Sequence, residues 1–248
     1  MNVSLYQAAA AMNANARWQE LIADNMVTGS IPGARKQGIS FSAVEAGQAP
    51  GAQGPANSRY VIPRANTSIN FVPGELRRTG NNMDFALEGP GFFKVQLPNG
   101  DRAYTRDGEF QLNAQGQIVT KQGYHVLTDA GPLQLDPNNG GPLMITADGD
   151  VSQGGEKKGR LDIVEFSDPR QLTSLGGGLF RADNHQLQAN TADSTSVRQG
   201  FLEAANTSPT AEMASLITAM RMFEANQRVL QMQDERMGRV ITELGTPT

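Results

Sequence analysis

The sequence predicts an α+β chain in which a β-rich domain is inserted into a discontinuous coiled-coil module built from the N- and C-terminal helices. Three observations carry that reading. The amino end holds an alanine-rich segment with a seam at steps of four and three. The carboxyl end holds a longer seam of the same kind, and between the two lie short apolar runs separated by turn residues.

In the first segment, residues 1–36, the seam reads Leu5, Ala9, Met12, Ala16, Gln19, Ala23 and Met26, the spacing of one helix face. It stops at Thr28-Gly29-Ser30-Ile31-Pro32-Gly33, where proline and glycine disfavour continuation. Residues 37–75 read as an extended linker or loop, because from Ala43 to Asn57 the chain is mostly Gly, Ala, Pro and Gln with few large apolar side chains. Residues 76–196 read as the inserted β domain. Runs such as Phe92-Phe93-Lys94-Val95-Gln96-Leu97 and Leu161-Asp162-Ile163-Val164-Glu165-Phe166 read as strands, while Pro98-Asn99-Gly100-Asp101, Arg106-Asp107-Gly108 and Ala147-Asp148-Gly149-Asp150 read as hairpin turns. The last segment, 197–248, holds a long helix. Ser208 is its cap, Pro209 its first residue, and Glu212 meets the positive end of the helix dipole. Its seam runs Met213, Leu216, Met220, Phe223, Gln227, Leu230, Asp234, Met237, Ile241 and Leu244. So long and narrow an apolar stripe needs a partner helix, from the same chain or from another copy.

Composition narrows the function. The 248 residues carry a net charge of −4, which argues against a nucleic-acid or anionic-membrane footprint. The absence of cysteine removes disulfides, thiolate metal sites and cysteine nucleophiles together. Met1 to Ala11 lacks the basic and apolar regions of a secretory signal, and no transmembrane span is expected. Catalytic candidates are poor. His125 and His185 lie far apart, Asp148-Gly149-Asp150 lacks the remaining ligands of a calcium loop, and Gly176-Gly177-Gly178 lacks the Lys-Ser/Thr of a phosphate loop. The expectation is a non-enzyme with no catalytic, metal or cofactor-binding residue, no cofactor and no small-molecule substrate.

A specific motif lies in the β domain. Asp84-Phe85-Ala86-Leu87-Glu88-Gly89-Pro90-Gly91-Phe92-Phe93 is followed by Pro98-Asn99-Gly100 and by Ala103-Tyr104-Thr105-Arg106-Asp107-Gly108-Glu109-Phe110. Near the carboxyl end, Arg198-Gln199-Gly200-Phe201-Leu202-Glu203 leads to Glu212-Met213, Leu216-Ile217, Arg221 and Phe223-Glu224-Ala225-Asn226. Both stretches resemble the flagellar rod and hook protein family, as do Ala23-Asp24-Asn25-Met26 and Gly33 near the start. Phe223 stands where the family more often has tyrosine, and Ala34 where it has phenylalanine. Ala147-Asp148-Gly149, Gly159-Arg160-Leu161 and Leu179-Phe180-Arg181 look more like proximal-rod than distal-rod members.

The resemblance implies a structural rod subunit, exported unfolded through the flagellar type III apparatus without a cleaved signal. Such a subunit assembles helically in the periplasm-spanning rod of the basal body and carries motor torque outward. Its partners would be itself, other rod and hook proteins and the export machinery. The assembly interface is expected along the helix seams at Leu5, Met12, Met26, Met213, Leu216, Met220, Phe223, Leu230, Met237, Ile241 and Leu244. The family motif contributes Asp84, Gly89, Gly91, Phe92, Phe93, Tyr104, Thr105, Arg106, Asp107 and Gly108. Alternatives are a distal-rod or hook subunit and a secreted β-domain binding module on a coiled-coil stalk.

Overall fold

The computed structural model describes residues 3–48, 59–136, 141–184 and 187–245. Helix α1 (Val3–Thr28) opens the chain, and α2 (Pro209–Gly245) closes it. Between them run β1 (Gln37–Gln48), β2 (Arg59–Ile69), β3 (Leu76–Arg78), β4 (Phe85–Glu88), β5 (Phe92–Gln96), β6 (Arg102–Thr105), β7 (Phe110–Leu112), β8 (Ile118–Thr120) and β9 (His125–Thr128). Then come β10 (Gly131–Pro132), β11 (Leu143–Ile145), β12 (Asp150–Gln153), β13 (Glu156–Arg160), β14 (Ile163–Phe166), β15 (Thr173–Gly176) and β16 (Leu179–Arg181). β17 (Ala189–Thr191), β18 (Ser196–Gln199) and β19 (Phe201–Glu203) complete the strands. Two helices flanking a large β-rich region make this an α+β chain. No helix among the described residues is long and apolar enough to cross a membrane.

The chain divides into two compact units. The first takes Met1–Met26, Gln37–Ser68 and Ser208–Thr248, so most of α1 and all of α2 belong to it. There Asn15 Nδ2 on α1 donates to Ala219 O on α2 at 3.0 Å, and Gln19 Nε2 to the same carbonyl at 3.4 Å. Strands β1 and β2 pair with each other in this unit. The stretch read from composition as a linker therefore holds two long strands, and residues 49–58 lie outside the described residues. The missed signal was the alternation Ile39-Ser40-Phe41-Ser42-Ala43, hidden by its small residues. It carries Phe41 to Trp18 of α1, edge to face at 6.1 Å.

The second unit takes Val27–Lys36 and Ile69–Thr207. Its main sheet runs β15-β16-β6-β5-β9-β8-β7, with β14, β17 and β10 attached. One core collects Phe85, Phe93, Val95, Phe110, Ile118, Val126 and Val151, and a second is aromatic, with Phe92, Tyr104, Phe166 and Phe180 around Leu172. Alternation on β5 explains the division: Phe93 and Val95 go to one core and Phe92 to the other.

Two of the three expected turns close hairpins. Leu97 N donates to Asp101 O across Gly100, and Thr146 N to Asp150 O across Gly149. Arg106-Asp107-Gly108 does not: β6 pairs with β5 and β16, β7 with β8, and all three turn residues are buried. Gly108 is required there by space and not by left-handed geometry, since a Cβ would stand 1.6 Å from Phe85 O. Gly176, Gly177 and Gly178, all at positive φ, form the turn between β15 and β16.

Candidate assembly interface

Helix α2 starts at Pro209, where Glu212 N donates to Ser208 O at 2.9 Å. Its least exposed face runs Glu212, Leu216, Ala219, Phe223, Asn226, Leu230 and Gln233, with Ala219 fully buried beneath the amides of Asn15 and Gln19. The expected seam shares Leu216, Phe223 and Leu230 with that face, and these are half-buried. It departs at the alternate positions, because Met213 is 51% exposed, Met220 52% and Met237 45%, and Gln227 and Asp234 are exposed too. Glu212, Ala219, Asn226 and Gln233 take the inward positions expected for Met213, Met220, Gln227 and Asp234. A small residue allows close approach of the facing helix and leaves its own carbonyl within reach of Asn15.

The same offset appears on α1. Ala8, Asn15, Ile22 and Asn25 are buried and Gln19 half-buried, whereas Ala9 and Ala23 of the expected seam are exposed and Met12, Ala16 and Met26 half-buried. Asn25 Nδ2 and Oδ1 bond Gln37 O and Gln37 N at 2.8 and 2.9 Å, holding the start of β1 to the end of α1. Leu5, Ile241 and Leu244 lie in the helices, but their side chains fall outside the described ones.

Two apolar stripes of α2 remain exposed: Met213, Ile217 and Met220 on one side, and Met222, Val229 and Met232 on another. At about 100° per residue these stripes and the inward face point in three directions roughly 120° apart. A helix inside a globular fold keeps one apolar stripe; a helix apolar on three sides is suited to burial on all of them.

Arg106, Gly89 and Phe92 of the motif take part in a buried charge cluster. Glu203 of β19 takes Arg35 Nη2 at 2.7 Å and Arg106 Nη1 at 3.2 Å, and its Oε1 also accepts Gly74 N at 2.8 Å. Arg106 donates besides to Leu87 O, at 3.3 Å, and to Gly89 O, and lies 5.1 Å over the Phe92 ring. Burial pushes its guanidinium down to about 10, against the opposing pull of Glu203. Gly33, at φ +67, donates its N–H to Glu203 O at 2.7 Å, and a Cβ there would stand 2.3 Å from Arg106 O. Asn206 continues the tie: its Oδ1 accepts Lys36 N at 2.6 Å, and its Nδ2 donates to Asn70 O and Val72 O at 2.8 Å. The cluster thereby pins the segment after α1 to the segment before α2 within this unit. Sequence reading placed Arg106 and Glu203 in separate family-like stretches and did not single out Arg35, Asn206 or Gly74. Arg106 and Glu203 are 97 residues apart, and no local pattern announces such a pair.

Of the other motif residues, Gly91 N donates to Thr195 Oγ1 at 2.9 Å and Thr105 Oγ1 to Gly178 O at 2.9 Å, while Phe92, Phe93 and Tyr104 are core. Asp84 accepts Asn81 Nδ2 at 2.9 Å, and Asp107 Oδ1 accepts Glu109 N at 3.0 Å. Burial, with Glu109 and Asp84 nearby, raises the Asp107 carboxyl to about 6. His125 lies on β9, and His185 lies outside the described residues. No cluster of metal-binding side chains occurs among the described residues.

Comparison with known proteins is consistent across the chain. A family model described as the flagellar hook protein FlgE/F/G D1 domain matches residues 86–153, and one described as the flagellar basal body rod FlgEFG protein C-terminal matches 198–243. The chain is 31% identical to the flagellar basal-body rod protein FlgF of Caulobacter vibrioides, over 91% of each chain. It is also 31% identical to FlgF of Mesorhizobium japonicum, over 99% of each. Similarity to FlgG of Borreliella burgdorferi is equal in degree, 31% over 95% of this chain and 96% of that one.

Proposed function

The chain belongs to the flagellar basal-body rod protein family, and we propose that it is a structural subunit of the rod, assembling helically with copies of itself and with other rod and hook proteins. The observation that carries this reading is α2, whose stripes Met213-Ile217-Met220 and Met222-Val229-Met232 have no cover among the described residues. Each such side chain gains about 1.5–3 kcal/mol when an adjacent helix buries it. A shaft that carries motor torque needs contacts in more than one direction, and a helix apolar on three sides supplies them. Methionine suits junctions between non-identical neighbours, because its unbranched thioether adapts to different surfaces.

In this reading 1–36 and 197–248 supply the coiled-coil part, with Leu5, Met12, Met26, Leu216, Phe223, Leu230, Met237, Ile241 and Leu244 along its seams and Met213 and Met220 facing neighbouring copies. Residues 76–196 supply the β domain, and 37–75 join the two. The subunit leaves the cytoplasm through the flagellar type III apparatus and takes a proximal-rod place in the periplasm. A distal-rod or hook place is the second reading, favoured by the equal likeness to proteins named FlgF and FlgG.

Mass spectrometry of purified basal bodies, with and without the hook, tests the assignment. Peptides of this chain are expected in the hook-stripped particles. Their loss with the hook would move the subunit outward, and their absence from both preparations would overturn a rod role.

A further inference from the structure

The two exposed stripes of α2 each begin and end on a methionine, Met213 and Met220 on one and Met222 and Met232 on the other, at 51–56% exposure. The inward face from Glu212 to Gln233 holds none. The chain has no cysteine, so thioethers are its only sulfur and no thiol competes with them for an oxidant. Met237 further along α2 and Met144 on β11 are exposed too, whereas Met12, Met26 and Met83 are half-buried. Reachable sulfur is therefore concentrated on α2, on the sides that its own chain leaves open.

We propose that Met213, Met220, Met222 and Met232 are modification sites, oxidised to sulfoxides by hydrogen peroxide in the free subunit, and that the sulfoxides bar the subunit from the polymer. The second half rests on the rod reading above. The sulfur lone pair attacks one peroxide oxygen, and the O–O bond breaks as the S–O bond forms. The proton of the attacked oxygen passes to the departing one, which leaves as water; sulfur loses two electrons and peroxide gains them. A thioether has no proton to shed, so the step needs no neighbouring base and depends on access. The product is polar where the thioether was apolar, and it places a hydrogen-bond acceptor at both ends of each stripe. Such an acceptor must be stripped of water to enter a helix interface. The inward residues Leu216, Phe223 and Leu230 cannot react, so the modified helix keeps its own packing. Within a polymer the four thioethers are covered. Peroxide therefore reaches free subunits and spares assembled ones.

The test treats the full-length chain with hydrogen peroxide, removes the excess with catalase, maps sulfoxides by peptide mass spectrometry and follows polymerisation by sedimentation. One added oxygen is expected at each of the four methionines, with the helical circular dichroism unchanged. The concentration at which polymer forms should rise about tenfold or more, the equivalent of burying one unpaired acceptor. Methionine sulfoxide reductases of both stereospecificities should reverse the rise. In a variant combining Met213→Leu, Met220→Leu, Met222→Leu and Met232→Leu, treated and untreated samples should polymerise alike, whatever the variant's own level. Met144→Leu should stay as sensitive as the wild-type chain. Should the combined variant not fold, reductase treatment decides, together with peroxide applied after assembly, which should leave the four sites largely unmodified. Oxidised wild-type chain that polymerises at the untreated concentration would overturn the switch, as would equal protection by Met144→Leu or a loss of helix on oxidation. Absence of sulfoxide at the four sites would overturn the modification itself. An untreated chain that never polymerises would overturn the rod reading and the switch with it, while the sulfoxide map still decides the modification.

Discussion

In the β-rich unit Phe85, Phe92, Phe93 and Val95 are each at most 2% exposed, whereas on α2 Met213, Ile217 and Met220 are each more than half exposed. The first region buries its apolar surface internally and pairs Glu203 with Arg35 and Arg106. The second holds apolar side chains that remain exposed among the described residues. Stability should therefore reside in the β-rich unit and association in α2, so that substitutions in one region leave the property of the other intact. Such a division suits a subunit that must fold its β domain independently and yet gain most from joining a polymer.

The largest effect is expected at Glu203, where the separation can be broken most directly. Glu203→Gln leaves Arg35 and Arg106 buried without the carboxylate they share, and removing one member of a buried ion cluster costs on the order of 3–5 kcal/mol. Chemical denaturation followed by tryptophan fluorescence would miss this, because Trp18 lies on α1 in the other unit. Near-ultraviolet circular dichroism of the tyrosine and phenylalanine core reads it instead. A loss below about 1 kcal/mol would mean that water already screens the cluster as it does at a surface.

Met220→Asp is the converse. Its side chain is 52% exposed, so the isolated chain should lose no more than about 0.5 kcal/mol, the usual limit for a surface site. Polymerisation, measured by sedimentation, and motility of the complemented strain should both be lost. Were the isolated chain to melt markedly earlier instead, Met220 would be holding α2 to its own chain and the division between regions would fail. Polymerisation at the normal rate would remove the Met213-Ile217-Met220 stripe from the interface.

These two tests also mark what the sequence made legible. Helix α2, its start at Pro209 and its heptad period were readable because they rest on local chemistry: a cap, a proline, a repeat. The facing of the helix was not. Leu216, Phe223 and Leu230 fit either reading, and hydrophobicity favoured Met213 and Met220 as their inward companions, while the structure turns Ala219 and Asn226 inward. Periodicity gives the angular spacing of a stripe and not its owner when a helix has three of them. The same limit hid the charge cluster. Arg106 and Glu203 each stood in a family-like stretch, but nothing local joined them to each other or to Arg35, which the fold sets 2.7 Å from Glu203. Gly108 was legible as a necessary glycine for the wrong reason, a turn instead of a close approach to Phe85.

The smallest effect concerns Asp107 and sharpens the comparison by pH. Its carboxyl is raised from 3.8 to about 6, chiefly by burial. Because the folded state holds the proton more tightly than the unfolded chain, the group favours folding fully below its ordinary value. That contribution falls away as pH rises from there through about 6, and above that the stability no longer changes with this group. The swing is on the order of 1–3 kcal/mol, since each tenfold difference in proton affinity between the two states is worth about 1.4 kcal/mol, reduced by whatever water reaches the site. Asp107→Asn keeps an oxygen for the N–H of Glu109 and has no proton to lose. Compared at about pH 4.5 and pH 7.5, either side of the folded value, the wild-type chain should therefore lose more stability at the higher pH than the variant, and Asp107→Asn should be the more stable of the two near neutrality. Equal pH slopes for the two proteins would mean that Asp107 ionises as freely folded as unfolded. The β-rich unit would then tolerate an unpaired buried charge, and the self-contained character that sets it apart from α2 would be weaker than Glu203 suggests.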